Sequence, residues 1–165
     1  MFSLFAKPPV VAQQSIYDFQ LPSLEGDQID FSRFKGKWIL IVNTASKCGY
    51  TPQYKELQKL HELYGDKVAV LGFPANNFFW QEPGSNDDIA EFCEKNYGVS
   101  FQMFEKVSVK GASKHPLYRW LEAKSGKTPT WNFCKFLIGP DGSYRNFYAS
   151  AISPMDQQII RQISN

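Results

Sequence analysis

Three runs of the chain are almost continuously apolar: Trp38 to Asn43, Val68 to Phe73 and Trp131 to Ile138. Uninterrupted apolar runs of this length predict strands buried on both faces of a sheet. Between them the apolar positions recur at helical spacing. Leu57, Leu60 and Tyr64 share one face of a helix that Gly65-Asp66 stops. Ser85 opens a second helix carrying Ile89, Phe92 and Cys93. His115 to Ala123, with Pro116 at its start, predicts a third, and Pro154 to Ile163 a terminal one. Ser15 to Phe19 and Asp27 to Phe31 read as a hairpin around Ser23-Leu24-Glu25-Gly26, and Ser108-Val109 as a further short element. Pro140-Asp141-Gly142-Ser143 is a turn that folds Tyr144 to Tyr148 back on the third run. This order predicts an α/β thioredoxin-like fold: an N-terminal β-hairpin, then a central mixed sheet flanked by helices.

Composition narrows the class. The 165 residues suit one domain, read as 15–165, with 1–14 as an N-terminal extension. The 43% hydrophobic and 16% aromatic content excludes a disordered chain. A net charge of +2, with scattered Lys and Arg, implies no nucleic-acid partner. No apolar run approaches the roughly 20 residues of a membrane span. Lys7-Pro8-Pro9 interrupts the apolar start, and three cysteines do not make a disulfide scaffold. The expected location is the cytoplasm, or an exported compartment if a leader has been removed.

Cys48 is the residue with most chemical content. It lies between the strand Trp38 to Asn43 and the first helix, with Thr51 placed to cap that helix and Pro52 in its first turn. There it faces the positive end of the helix dipole and sits beside Lys47, and both favour a nucleophilic thiolate. Packing at a strand end is the plain alternative. His61 and His115 combine with no metal-ligand spacing and read as surface or capping residues. Asp87-Asp88 suits the first turn of a helix.

Three segments resemble the motifs of the glutathione peroxidase family: Asn43-Thr44-Ala45-Ser46-Lys47-Cys48-Gly49, then Leu71 through Gly84, then Trp131-Asn132-Phe133-Cys134-Lys135-Phe136-Leu137. They stand in the family's order. The resemblance implies a thioredoxin fold and a cysteine-type peroxidase with Cys48 as the peroxide-attacking residue. It assigns Gln81, Trp131 and Asn132 as supporting groups. All three carry N–H donors, which favour a thiolate and stabilise charge developing on a peroxide oxygen.

The resemblance also implies that Cys93 resolves the oxidised Cys48, closing a loop of 45 residues through a disulfide. Such a bond needs Cα atoms within about 7 Å, so the Cys93 helix would unwind locally, and Gly98 helps to end it. A core thiol is the alternative for Cys93. Cys134 reads as a packing residue, on the strand face of Asn132 and opposite Trp131.

The departures matter too. Ala75 replaces a further cysteine common in the family, Asn77 a glutamine, and Phe79-Trp80 a glycine-containing pair. The bulky pair reads as a cover for the site or a rim for lipid or protein contact. The short linker from Leu121 to Trp131 lacks the insertion through which tetrameric members assemble, so a monomer using thioredoxin rather than glutathione is expected. Hydrogen peroxide and organic or lipid hydroperoxides are the expected substrates, and no metal, haem or flavin is implied. A peroxide-sensing relay is the main rival. A general disulfide oxidoreductase is disfavoured, because Thr51 stands where Cys-x-x-Cys needs a second thiol.

Overall fold

The computed structural model describes residues 14–165. The extension read at 1–14 therefore lies, apart from Gln14, outside the described residues. Gln14 is held by its carbonyl, which accepts from the Trp120 indole at 2.7 Å.

Five strands form the central sheet: β3 (Trp38–Thr44), β4 (Val68–Pro74), β5 (Gln102–Met103), β6 (Lys135–Ile138) and β7 (Tyr144–Tyr148). Their spatial order is β5-β4-β3-β6-β7. β3 pairs parallel to β4 and β4 parallel to β5, while β6 runs antiparallel to both β3 and β7. β1 (Gln20–Pro22) and β2 (Gln28–Asp30) make a separate antiparallel hairpin. The helices are α1 (Gln53–Tyr64), α2 (Asn86–Tyr97), α3 (Pro116–Ser125) and α4 (Gln157–Ser164). This is the thioredoxin-like α/β architecture.

The period-2 geometry of β3 sorts its apolar run into two cores. Leu40 and Val42 join Tyr54, Leu57 and Leu60 of α1, Ile89 and Cys93 of α2, and Ile159 and Ile163 of α4. Ile39 and Ile41 join Leu117, Trp120 and Leu121 of α3, with Ile16, Phe19 and Phe31 from the N-terminal segment. Each fully buried aliphatic or aromatic side chain contributes about 1.5–3 kcal/mol. Both faces are needed, so the sheet is covered on both sides as its apolar run requires.

Several local expectations are corrected. Ser15 to Phe19 is not a strand. Ser15 Oγ accepts from Tyr17 N–H, and the Asp18 carboxylate accepts from Ser15 N–H. This capping box closes a 3₁₀ turn over Ile16–Asp18 and delays the hairpin to Gln20. Ser108-Val109, read as a short element, forms neither helix nor strand. The Asn77 amide takes both, accepting from Val109 N–H at 2.8 Å and donating to Ser108 Oγ at 3.1 Å. The edge strand is Gln102–Met103 instead. The terminal helix starts at Gln157, where Asp156 caps it, and not at Pro154. The third apolar run forms a strand only from Lys135, which bears directly on the site.

Candidate active site

Cys48 sits on the loop joining β3 to α1 and is 8% exposed. Tyr50 N–H donates to its Sγ at 3.3 Å. Cys48 N–H donates to Thr51 Oγ1 at 2.9 Å, and that hydroxyl donates to the Ala45 carbonyl at 2.8 Å. The expected role of Thr51 as helix cap is thus corrected. Its hydroxyl is committed to the turn around Cys48, and α1 begins after Pro52 with no side-chain cap. Successive i→i+3 bonds, from Thr51 N–H to Cys48 O and from Gln53 N–H to Tyr50 O, carry the turn into the helix. The result is a hydrogen-bonded elbow with an N–H aimed at sulfur.

Gln81 comes from the loop after β4. Its carbonyl accepts from Lys47 N–H at 3.0 Å, tying that loop to the elbow. Its Oε1 accepts from Asn132 Nδ2 at 2.9 Å. With the oxygen occupied, the Gln81 NH₂ donates to no side chain among the described residues and remains available as a donor. Asn132 is fully buried, and its Oδ1 has no hydrogen-bond partner among the described residues.

Trp131, Asn132 and Phe133 form a turn, not the expected strand. Asn43, the last polar residue of β3 before Thr44, dictates it. Its Nδ2 donates to the Trp131 carbonyl at 2.9 Å, and its Oδ1 accepts from Cys134 N–H at 3.0 Å. Its own carbonyl accepts from Phe133 N–H. Phe133 adopts φ 64° to satisfy all three. This kink places Trp131 at half burial, its ring 5.6 Å from that of Phe78 and 5.5 Å from that of Phe79. The role of Asn43 was not foreseen, although a buried amide ending an apolar strand is a signal that could have found it.

The kink also corrects the strand alternation expected of Cys134. That thiol is fully buried, with its Sγ 3.5 Å from Ser150 Oγ.

Cys93 lies in the third turn of α2, 2% exposed, in the same core layer as Cys48. Burial pushes its thiol up to about 11, against a smaller lowering from the Tyr54 hydroxyl nearby, and the Glu82 charge adds to the rise. All three cysteines are free thiols. Ser85 and Asp88 cap the start of α2 reciprocally, and Gly98 at φ 56° ends it by donating to the Cys93 and Glu94 carbonyls. Cys93 is therefore enclosed within a helix capped at both ends.

Glu82, a second residue not foreseen, is 1% exposed, and burial raises its carboxyl above the usual range. It lines a cavity of about 340 Å³ between the Cys48 loop and α2, with Ser46, Lys47, Ile89 and Phe92.

Cys48 thus stands on the strand-to-helix elbow of a thioredoxin-like sheet, and the Lys47–Gln81 backbone bond ties that elbow to the loop whose amide Asn132 clamps. The chain matches the glutathione peroxidase family model over residues 16–122. It is 50% identical over 146 residues to a glutathione peroxidase homolog, BsaA, of Halalkalibacterium halodurans, covering 86% of this chain and 93% of that protein. It is 44% identical over 153 residues to the glutathione peroxidase-like peroxiredoxin 2 of Saccharomyces cerevisiae, covering 88% of this chain and 94% of that protein. The crystal structure of Trgpx in its apo form superposes with a TM-score of 0.72 at 37% identity, covering 92% of this chain and 97% of that one. The chain belongs to the glutathione peroxidase family, in its non-selenium form, and is a peroxidase oxidoreductase. No helix among the described residues is long and apolar enough to cross a membrane.

Proposed function

We propose that this protein is a two-cysteine thiol peroxidase that takes its electrons from thioredoxin in preference to glutathione. The observation that carries the mechanism is the pairing of the Cys48 elbow with the Gln81–Asn132 clamp, joined through the Lys47–Gln81 backbone bond. The Cys48 thiolate attacks the terminal peroxide oxygen. The O–O bond breaks, its electrons leave on the other oxygen, and that oxygen takes a proton and departs as water or alcohol. Cys48 is left as a sulfenic acid. Gln81 and Trp131 supply N–H donors to the charge moving between sulfur and oxygen, and Asn132 holds Gln81 in orientation.

Cys93 then attacks the Cys48 sulfenic sulfur, losing its thiol proton as the hydroxyl leaves as water, and a disulfide forms. The burial of Cys93 within α2 requires that helix to open for this step. A dithiol reduces the disulfide by exchange. The short Leu121–Trp131 connection supports a monomer with an open site. Residues 15–165 act as one peroxidase domain in the cytoplasm, using no metal, haem or flavin.

Coupled NADPH assays test this. Wild type is expected to turn over faster with thioredoxin and its reductase than with glutathione and its reductase, and Cys48→Ser is expected to be inactive with either. Substantial turnover by Cys48→Ser sinks the mechanism. Slow turnover with every small or dithiol donor, alongside rapid oxidation of a partner protein, converts the reading to a redox relay. Peptide mapping after one equivalent of peroxide is expected to find a Cys48–Cys93 bond, and a Cys48–Cys134 bond would return Cys93 to the core.

A further inference from the structure

Phe79 and Trp80 are adjacent, 78% and 76% exposed, and both in the left-handed region at φ 51° and 50°. L residues, bulky ones above all, adopt that conformation only at a cost that glycine escapes. Burial does not repay it, since both rings lie mostly in water. Strain retained next to a reactive centre points to a function for the side chains that are so displayed.

The two rings build one wall of a cleft of about 490 Å³, whose other walls include Phe78 and Trp131. Lys110 lines the same cleft, its Nζ 5.4 Å from the centre of the Phe78 ring. The cleft thus includes Trp131 of the proposed peroxide site; four aromatic rings line it, with Asn76, Asn77 and Thr130 as polar members and Lys110 as the one cation in its lining. Its size is that of a small-molecule site. A stable protein partner would instead need roughly 800 Å² of surface on this side. Aromatic rings and one cation together suit an amphipathic anion, and Trp131, shared with the proposed peroxide site, suits one that carries the peroxide.

We propose that Phe79, Trp80 and Lys110 form a binding site for the carboxylate-bearing acyl arm of fatty-acid hydroperoxides, placing a mid-chain hydroperoxide at Trp131. The apolar arm lies on the displayed rings, and its carboxylate meets the Lys110 ammonium. This deepens the peroxidase reading and rests on it.

Trp80→Gly and Lys110→Gln test the site, because neither residue takes part in the reaction, and glycine at position 80 accepts the backbone conformation without strain. With an 18-carbon hydroperoxide below its micellar concentration, Trp80→Gly is expected to lose on the order of tenfold in kcat/KM, the scale of losing an apolar contact to a substrate. Turnover of hydrogen peroxide is expected to stay within about twofold, a change below any one contact. Lys110→Gln is expected to discriminate against the free acid and to treat its methyl ester as wild type does.

An equal loss with hydrogen peroxide, no loss with either variant, or a rise only in the KM for thioredoxin overturns the proposal. The unreactive 18-carbon hydroxy acid, titrated by calorimetry, separates the two levels of argument. Wild type is expected to bind it and Trp80→Gly to bind it weakly. Should wild type reduce no peroxide, the peroxidase mechanism fails, while this titration still decides the acyl site.

Discussion

Asn132 Nδ2 donates to Gln81 Oε1 at 2.9 Å, across 51 positions of sequence. An amide can present either its oxygen or its nitrogen to a reacting centre. This bond chooses, because a Gln81 oxygen engaged by Asn132 turns the Gln81 NH₂ toward other acceptors. Asn132 therefore fixes which end of the Gln81 amide is free.

Asn132→Asp is expected to reverse the choice. A carboxylate at 132 accepts but cannot donate, so Gln81 turns its nitrogen toward it and offers oxygen to the site. Peroxide kcat/KM should fall on the order of ten- to a thousandfold, the scale of removing one preorganised donor. Gln81→Ala should lose a similar amount, and the double variant no more than either alone. Additive losses, measured in a double-mutant cycle, would show that the two residues act separately.

Thr51→Val is expected to disrupt the Cys48 elbow. It strands Cys48 N–H and the Ala45 carbonyl, both inside the protein, at a cost of about 1–3 kcal/mol. Thr51→Ser keeps the hydroxyl and should recover most of the stability and the rate. Denaturant unfolding alongside hydrogen peroxide kinetics checks both.

The Cys93 thiol, raised to about 11 by burial, links stability to alkaline pH. Above the ordinary cysteine range the unfolded chain has lost this proton while the native state retains it. The native state thus binds more protons, and stability must fall as pH rises toward 11. The slope from this one group is at most about 1.4 kcal/mol per pH unit. Tyr54 and Tyr118, also raised by burial, act in the same direction, so the comparison is with Cys93→Ala. The stability difference between wild type and Cys93→Ala should shrink from pH 9 to 11. A constant difference would mean that the thiol titrates alike in both states.

Gly98→Ala is expected to loosen the end of α2. The residue is at φ 56°, with no atom within 4 Å of a built Cβ, so the cost is backbone conformation alone, about 1 kcal/mol. Hydrogen exchange at the C-terminal turn of α2 should quicken, and the Cys48–Cys93 bond should form at least as fast after peroxide. Slower disulfide formation would argue that the helix does not open to release Cys93.

Much of this protein is written locally. The buried strands β3 and β4 follow from their apolar runs, α2 from the Ser85–Asp88 box and Gly98, and α3 from Pro116 behind the capping His115. The elbow at Cys48 follows from a strand meeting a helix, and Gln81, Trp131 and Asn132 were assigned to it by motif resemblance. What local pattern missed was wherever a distant polar group outbid the nearest ladder. Trp131 to Cys134 has the composition of a strand. It turns instead because the Asn43 side chain takes backbone partners that a ladder would have used. Asn77 does the same to Ser108 and Val109. Short-range periodicity records which side chains avoid water. It holds no record of which buried amide reaches which backbone group, since those partners meet only after the chain has folded. The kind of chemistry could thus be read from residues in sequence, but the clamp on Gln81, the depth of Cys93 and the display of Phe79 and Trp80 were decided by tertiary contacts.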